Sequence, residues 1–154
     1  MRGNKILIIN GPNINCLDHR ENIYPNQYSY QQLMDKVNDF DQNIIWFQAN
    51  SEGRIIDAIQ SVIYNEEVGG LIINPGGYTH YSISILDALN LLDITKVEVH
   101  MTDITKREDF RSKSITALGV DQVYMGHGID SYIDGIKYIR NINNKKEDEN
   151  SLQI

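Results

Sequence analysis

Apolar positions fall in short uninterrupted runs separated by longer stretches with helical spacing. Lys5 to Asn10 reads KILIIN, a run that fits a strand buried on both faces, as in parallel sheets. It stops at the turn-forming Gly11-Pro12-Asn13. Ser29 to Phe40 carries Tyr30, Leu33, Met34, Val37 and Phe40 on one helical face, with Ser29 placed to cap it. Ile44 to Gln48 (IIWFQ) predicts a second strand. Ser51-Glu52-Gly53 then leads into a helical face of Ile55, Ile56, Ile59, Val62 and Ile63. Gly70 to Asn74 (GLIIN) predicts strand three, ended by Pro75-Gly76-Gly77, and Ser82 to Leu92 the next helix. Lys96 to Met101 (KVEVHM) predicts strand four, whose alternation places Glu98 and His100 on one face. A long charged loop, Thr102 to Ser114, precedes strand five (Gln122 to Met125) and a last helix (Ile133 to Ile142).

Strands alternating with helices imply right-handed crossovers and a parallel sheet covered on both faces. The expected fold is α/β: a flavodoxin-like, doubly wound, five-stranded parallel sheet with helices on both faces. One domain is expected over residues 1–142, followed by a polar tail, 143–154, that has no period and is expected to be disordered. A ligand crevice in such a sheet lies outside the carboxyl ends of the strands.

Composition narrows the setting. A chain of 154 residues, 41% apolar and 23% charged, is long enough to bury a core without disulfides. The net charge of −7 argues against a general nucleic-acid or anionic-membrane surface. The lone cysteine, Cys16, permits no intrachain disulfide and suits a reducing compartment. The apolar run near the N-terminus is too short for a signal peptide or a membrane span, so a cytoplasmic location is expected.

Reactive side chains concentrate at the predicted strand ends. Glu98 and His100 close an otherwise apolar strand, where an unpaired carboxylate would be costly. As a pair, Glu98 fixes the tautomer of His100 and supports its protonated form, which suits a general acid or base; a structural ion pair is the plainer alternative. Arg107 and Arg111 would share a face if their segment were helical, with either a bound anion or the neighbouring Glu108 and Asp109 between them. Arg20 and Tyr24 lie in a polar loop. Nearby arginines in a dry pocket could lower the phenol toward neutrality, but that loop read alone favours an ordinary surface tyrosine beside an ordinary arginine. NGPN (Asn10 to Asn13) and NPGGYTH (Asn74 to His80) fit ligand-approaching loops and simple turns alike.

Taken in order, ILIINGPNIN, RENIY, NSEGRIIDAIQ, INPGGYTHYSISILDAL and VEVHMTDITKREDFRSKS resemble the type II 3-dehydroquinate dehydratases. The resemblance implies a hydro-lyase of the shikimate pathway that uses neither metal nor a covalent lysine intermediate. Under it, Tyr24 is the base that takes a proton from the carbon beside the substrate ketone, held as phenolate by Arg20 with help from Arg107. Asn13 helps to stabilise the enolate through a water. His100, oriented by Glu98, protonates the leaving hydroxyl. Asn74 and the backbone around Met101 and Thr102 hold the substrate carboxylate, and His80 and Arg111 hold its hydroxyls. Asp87 reaches a neighbouring subunit's site in trimers assembled into a dodecamer.

The chain departs from the family pattern around Tyr24. Arg20 and Tyr24 are one residue closer than usual, Pro25 follows the tyrosine, and Tyr28 becomes a rival base. Asp103 stands where asparagine is common and would add negative charge near the carboxylate site if turned inward. Two other readings compete: a flavodoxin-like module binding FMN or another small ligand, and an inactive homologue that keeps only the assembly. Neither dinucleotide nor P-loop glycine motifs occur, and Asn10 and Asn74 occupy strand ends where a phosphoacceptor receiver domain needs acids.

Overall fold

Each apolar run forms a strand of one parallel sheet. β1 (Lys5–Asn10), β2 (Ile44–Gln48), β3 (Val68–Asn74), β4 (Thr95–His100) and β5 (Gln122–Met125) pair in the order β2-β1-β3-β4-β5. This computed structural model describes residues 2–19 and 28–153. Among the described residues four α-helices cover the sheet: α1 (Tyr30–Phe40), α2 (Glu52–Ser61), α3 (Ile83–Leu89) and α4 (Asp130–Leu152). The expected flavodoxin-like α/β architecture is the one observed.

Strand alternation feeds two cores. Leu7 and Ile9 of β1, with Leu71 and Ile73 of β3, pack against Ile55 and Ile59 of α2 and Ile85 and Leu89 of α3. Ile6, Ile8, Ile72, Val97 and Val99 face the opposite way, onto Leu33 and Val37 of α1 and Tyr132, Ile136 and Ile139 of α4. Burying each of these aliphatic side chains contributes about 1.5–3 kcal/mol relative to exposure. A charge at Ile72, which is wholly buried in the central strand, would break both sheet and core.

Helix ends follow from local chemistry. Ser29 caps α1 in a capping box with Gln32. Lys96 points from β4 to the far end of α3 and donates Nζ–H to the carbonyls of Leu89 (2.8 Å) and Leu92 (2.9 Å). α3 therefore closes at Leu89, short of the Leu92 that its apolar spacing suggested. β3 begins at Val68, two residues early, and β4 spans Thr95–His100, one residue earlier at each end than its hydropathy predicts.

α4 is much longer than Ile133 to Ile142. It starts at Asp130 and runs to Leu152, so the polar segment expected to lack structure continues the helix. Its first residue is an anchor: Asn143 accepts from Thr95 Oγ1 at 3.0 Å and donates to the Gly69 carbonyl at 3.0 Å. Good helix formers follow at Lys145, Lys146, Glu147 and Glu149. Among the described residues no helix is long and apolar enough to cross a membrane.

Candidate active site

The strand order reverses direction between β1 and β3, and the loops after these strands meet there. Gly11 N–H donates to the Asn74 carbonyl at 2.8 Å. The backbones come so close that a Cβ on Gly11 would lie 2.5 Å from the Pro75 oxygen, so only glycine fits. Beneath them, the Tyr132 hydroxyl donates to Asn10 Oδ1 at 2.6 Å and accepts from Asn74 Nδ2 at 2.9 Å. Asn74 Oδ1 accepts from Gly76 N–H at 3.2 Å. Asn13 adopts φ of 70°, a left-handed conformation that asparagine tolerates better than most residues, and its N–H donates to Asn50 Oδ1 at 3.1 Å.

β4 supplies the ionisable pair. Val97 and Val99 face α4, so Glu98 and His100 share the other face, as alternation requires. His100 Nε2 lies 2.8 Å from Glu98 Oε2, and both residues are buried. Ser114 Oγ donates to the same carboxylate oxygen at 2.7 Å, and Thr116 Oγ1 donates to the other. Burial raises the Glu98 carboxyl, but the hydrogen bond and charge of His100, followed by the Thr116 and Ser114 hydroxyls, outweigh it and hold the group below the usual carboxylate range.

A cavity of about 390 Å³ opens over these groups. His100, Met101 and Thr102 line it from the end of β4, Asn13 from the first loop, and Asn74 and His80 from the loop after β3. Arg107 and Arg111 bring the positive charge. They do not share a helical face. Two short 3-10 turns, Ile104–Lys106 and Asp109–Arg111, flank an extended Arg107, because Asp103 caps the first turn and Glu108 begins the second. Glu108 Oε2 lies 3.9 Å from Arg107 Nε and 3.5 Å from Arg111 Nε, as an acid between them would. Arg111 Nε is nevertheless buried without a hydrogen bond among the described residues.

The other expected residues fall elsewhere. Glu98 sits behind His100 and does not line the cavity. Asp87 is exposed on α3, away from this cavity. Arg20 and Tyr24 lie outside the described residues. Tyr28 is exposed, with Lys36 Nζ 5.9 Å from its ring centroid, and is not among the cavity-lining side chains. Asp103 is turned to its own turn: Oδ1 accepts from Thr105 N–H at 3.0 Å and Thr105 Oγ1 at 2.6 Å. Its charge therefore points away from the cavity.

Several residues here carry no advance signal. Tyr132 falls just before the predicted last helix, which begins at Ile133. Asn50, which lines the cavity, and Tyr78, whose hydroxyl donates to the Asn50 carbonyl at 2.8 Å, read as loop residues. Thr79, Ser114 and Thr116 are remote from Glu98 in sequence, so no spacing rule connects them with it.

The chain matches the family model described as dehydroquinase class II over residues 4–140. It is 42% identical over 142 residues to the 3-dehydroquinate dehydratase of Caldicellulosiruptor saccharolyticus, covering 90% of this chain and 97% of that protein. The 3-dehydroquinate dehydratase of Thermotoga maritima is 40% identical over 141 residues, 88% of this chain and 94% of the relative. Among solved structures, the type II dehydroquinase from Butyrivibrio crossotus superposes with a TM-score of 0.86 at 40% identity, covering 90% of this chain and 98% of that one.

Proposed function

Because the chain belongs to the class II dehydroquinase family, we propose that it dehydrates 3-dehydroquinate to 3-dehydroshikimate by anti elimination through an enolate. The observation that carries this reading is the Glu98–His100 pair, 2.8 Å apart and buried, at the wall of a cavity whose cations are arginines.

The reaction needs a base, an enolate stabiliser and an acid. Tyr24 removes the proton from the carbon beside the ketone, kept as phenolate by Arg20 and Arg107. Asn13 supports the enolate oxygen through a water. Its left-handed backbone and the Asn50 contact hold this residue at the cavity wall. His100 acts as the imidazolium: Nε2–H is held by Glu98, and Nδ1–H gives its proton to the departing hydroxyl, which leaves as water while the enolate electrons form the new carbon–carbon double bond, so that His100 is left as the neutral Nε2–H tautomer. The substrate carboxylate lies against Asn74 and the backbone of Met101 and Thr102. The substrate hydroxyls are taken by His80 and Arg111, whose buried Nε has no hydrogen bond among the described residues. Asp87, exposed on α3, serves the site of an adjacent subunit in a trimer-based dodecamer.

The test is direct. Purified protein mixed with 3-dehydroquinate gains the absorbance of a conjugated enone, and borohydride added with substrate leaves activity intact. Borohydride inactivation would reveal a Schiff base and overturn the mechanism. No enone signal would overturn the activity itself.

A further inference from the structure

Glu98 receives more hydrogen bonds than orientation of one imidazole requires. Besides His100, Ser114 Oγ donates to Oε2 at 2.7 Å and Thr116 Oγ1 donates to Oε1. Thr79 Oγ1 lies 2.6 Å from Ser114 Oγ and 2.8 Å from Thr116 Oγ1. Each hydroxyl has one proton. Those of Ser114 and Thr116 are directed at Glu98, so Thr79 donates its own to one of them. The whole set then runs one way, toward the carboxylate.

This direction has a chemical consequence. A protonated Glu98 would point an O–H at a group that is itself donating, and one contact would be lost. The set favours the ionised carboxylate, and an acceptor-only carboxylate in turn selects the His100 tautomer with Nε2–H aimed at it. The backbone fixes the donors: Ser114 Oγ accepts from Ala117 N–H at 3.1 Å, and the Thr79 carbonyl accepts from Ile115 N–H at 2.7 Å. Thr79 and Thr116 are buried. Among the described residues, the charged or titratable group acting on Glu98 is His100; Arg107 and Arg111 lie beyond it on the cavity wall.

We propose that Thr79, Ser114 and Thr116 are positioning residues: a hydroxyl relay that holds Glu98 as an acceptor and thereby sets the tautomer and orientation of His100. Its effect on turnover rests on the dehydratase reading. Its effect on His100 does not.

The experiment compares wild type, Thr116→Val, Thr116→Ser and Ser114→Ala, each checked for folding by circular dichroism. One arm measures kcat and KM for 3-dehydroquinate against pH. The other follows the imidazole nitrogens by NMR titration, with the His100 signals identified by their loss in His100→Ala. In wild type His100 carries its proton on Nε2 when neutral. In Thr116→Val, kcat falls about tenfold or more, the value of one lost hydrogen bond to a charged group, while KM changes little. The acid limb moves up by about one pH unit, because Glu98 takes a proton more readily. Thr116→Ser recovers most of the loss, and Ser114→Ala shifts the limb in the same direction. Should Thr116→Val not fold, Ser114→Ala carries the same comparison. Unchanged limbs and an unchanged tautomer in the folded variants overturn the relay, as does a serine variant no better than valine, which would make the role one of packing. A wild-type protein that does not turn over 3-dehydroquinate overturns the dehydratase reading instead, and the NMR arm still decides the relay.

Discussion

His100 Nε2 meets Glu98 Oε2 at 2.8 Å at the C-terminal end of β4, two residues apart on one face of a strand whose other face is sealed under α4. The strand's alternation alone brings the two side chains together. The cavity then gives the imidazole an outlet that an ordinary buried ion pair would lack.

His100→Gln should keep the fold and lower kcat by roughly 10²–10⁴, the usual contribution of a positioned acid or base. Glu98→Gln should lower kcat less, because the imidazole remains but loses its charged partner. Steady-state assays alongside circular dichroism measure both; a His100→Gln enzyme with near-normal kcat contradicts the assignment of the acid.

Glu98 also links stability to pH. Its carboxyl is held below the usual range in the folded chain, so folding releases its proton more readily than the unfolded chain does. The stabilisation is complete above the unfolded carboxylate value of about 4.3 and is lost as pH falls through the lower folded value. Asp41 behaves alike: burial raises it, but the Arg140 guanidinium, at 2.8 and 3.0 Å, and the Asn43 N–H lower it further. Urea midpoints should therefore fall steeply below about pH 4, and less steeply in Glu98→Gln. Equal slopes in the two proteins would show that the Glu98 network contributes nothing to acid stability.

Tyr132→Phe removes a buried hydroxyl that touches both Asn10 and Asn74. The expected cost is about 1–3 kcal/mol of stability, from amide groups left short of a partner. Asn74 also lines the cavity, so KM for 3-dehydroquinate should rise as its side chain loosens. Denaturant titration and steady-state kinetics read the two effects separately.

Tyr24→Phe and Tyr28→Phe distinguish the two candidate bases. Loss of about 10² or more in kcat is expected for Tyr24, and little change for the exposed Tyr28. The reverse pattern would move the base to Tyr28 and shift the alignment of the whole first loop.

Much of this was legible in the chain. KILIIN, IIWFQ and QVYM became strands with the predicted limits, because a continuous apolar run between turn residues leaves few other choices. The Glu98–His100 pair followed from alternation. What escaped depended on partners distant in sequence. Tyr132 and Asn10 are 122 positions apart, so no local pattern connects the tyrosine with the end of β1. The Arg107–Arg111 spacing suggested one helical face, yet the Asp103 cap and the extended backbone at Arg107 divide that segment into two turns. The length of α4 escaped because its last turns have no buried face, and hydrophobic periodicity has nothing to register there.

The bridge through Tyr132 bears on how this protein could be rebuilt. Its phenol ties the amides that end β1 and β3 to a helix formed at the other end of the chain. The two loops above it are therefore not interchangeable parts. A loop transplanted from a relative after Asn74 would arrive with its own demands on Asn10, Gly11 and Tyr132. Chimeras cut between β3 and α4 should lose ligand affinity unless all four positions travel together, whereas exchanges around the outer end of α4 should be silent.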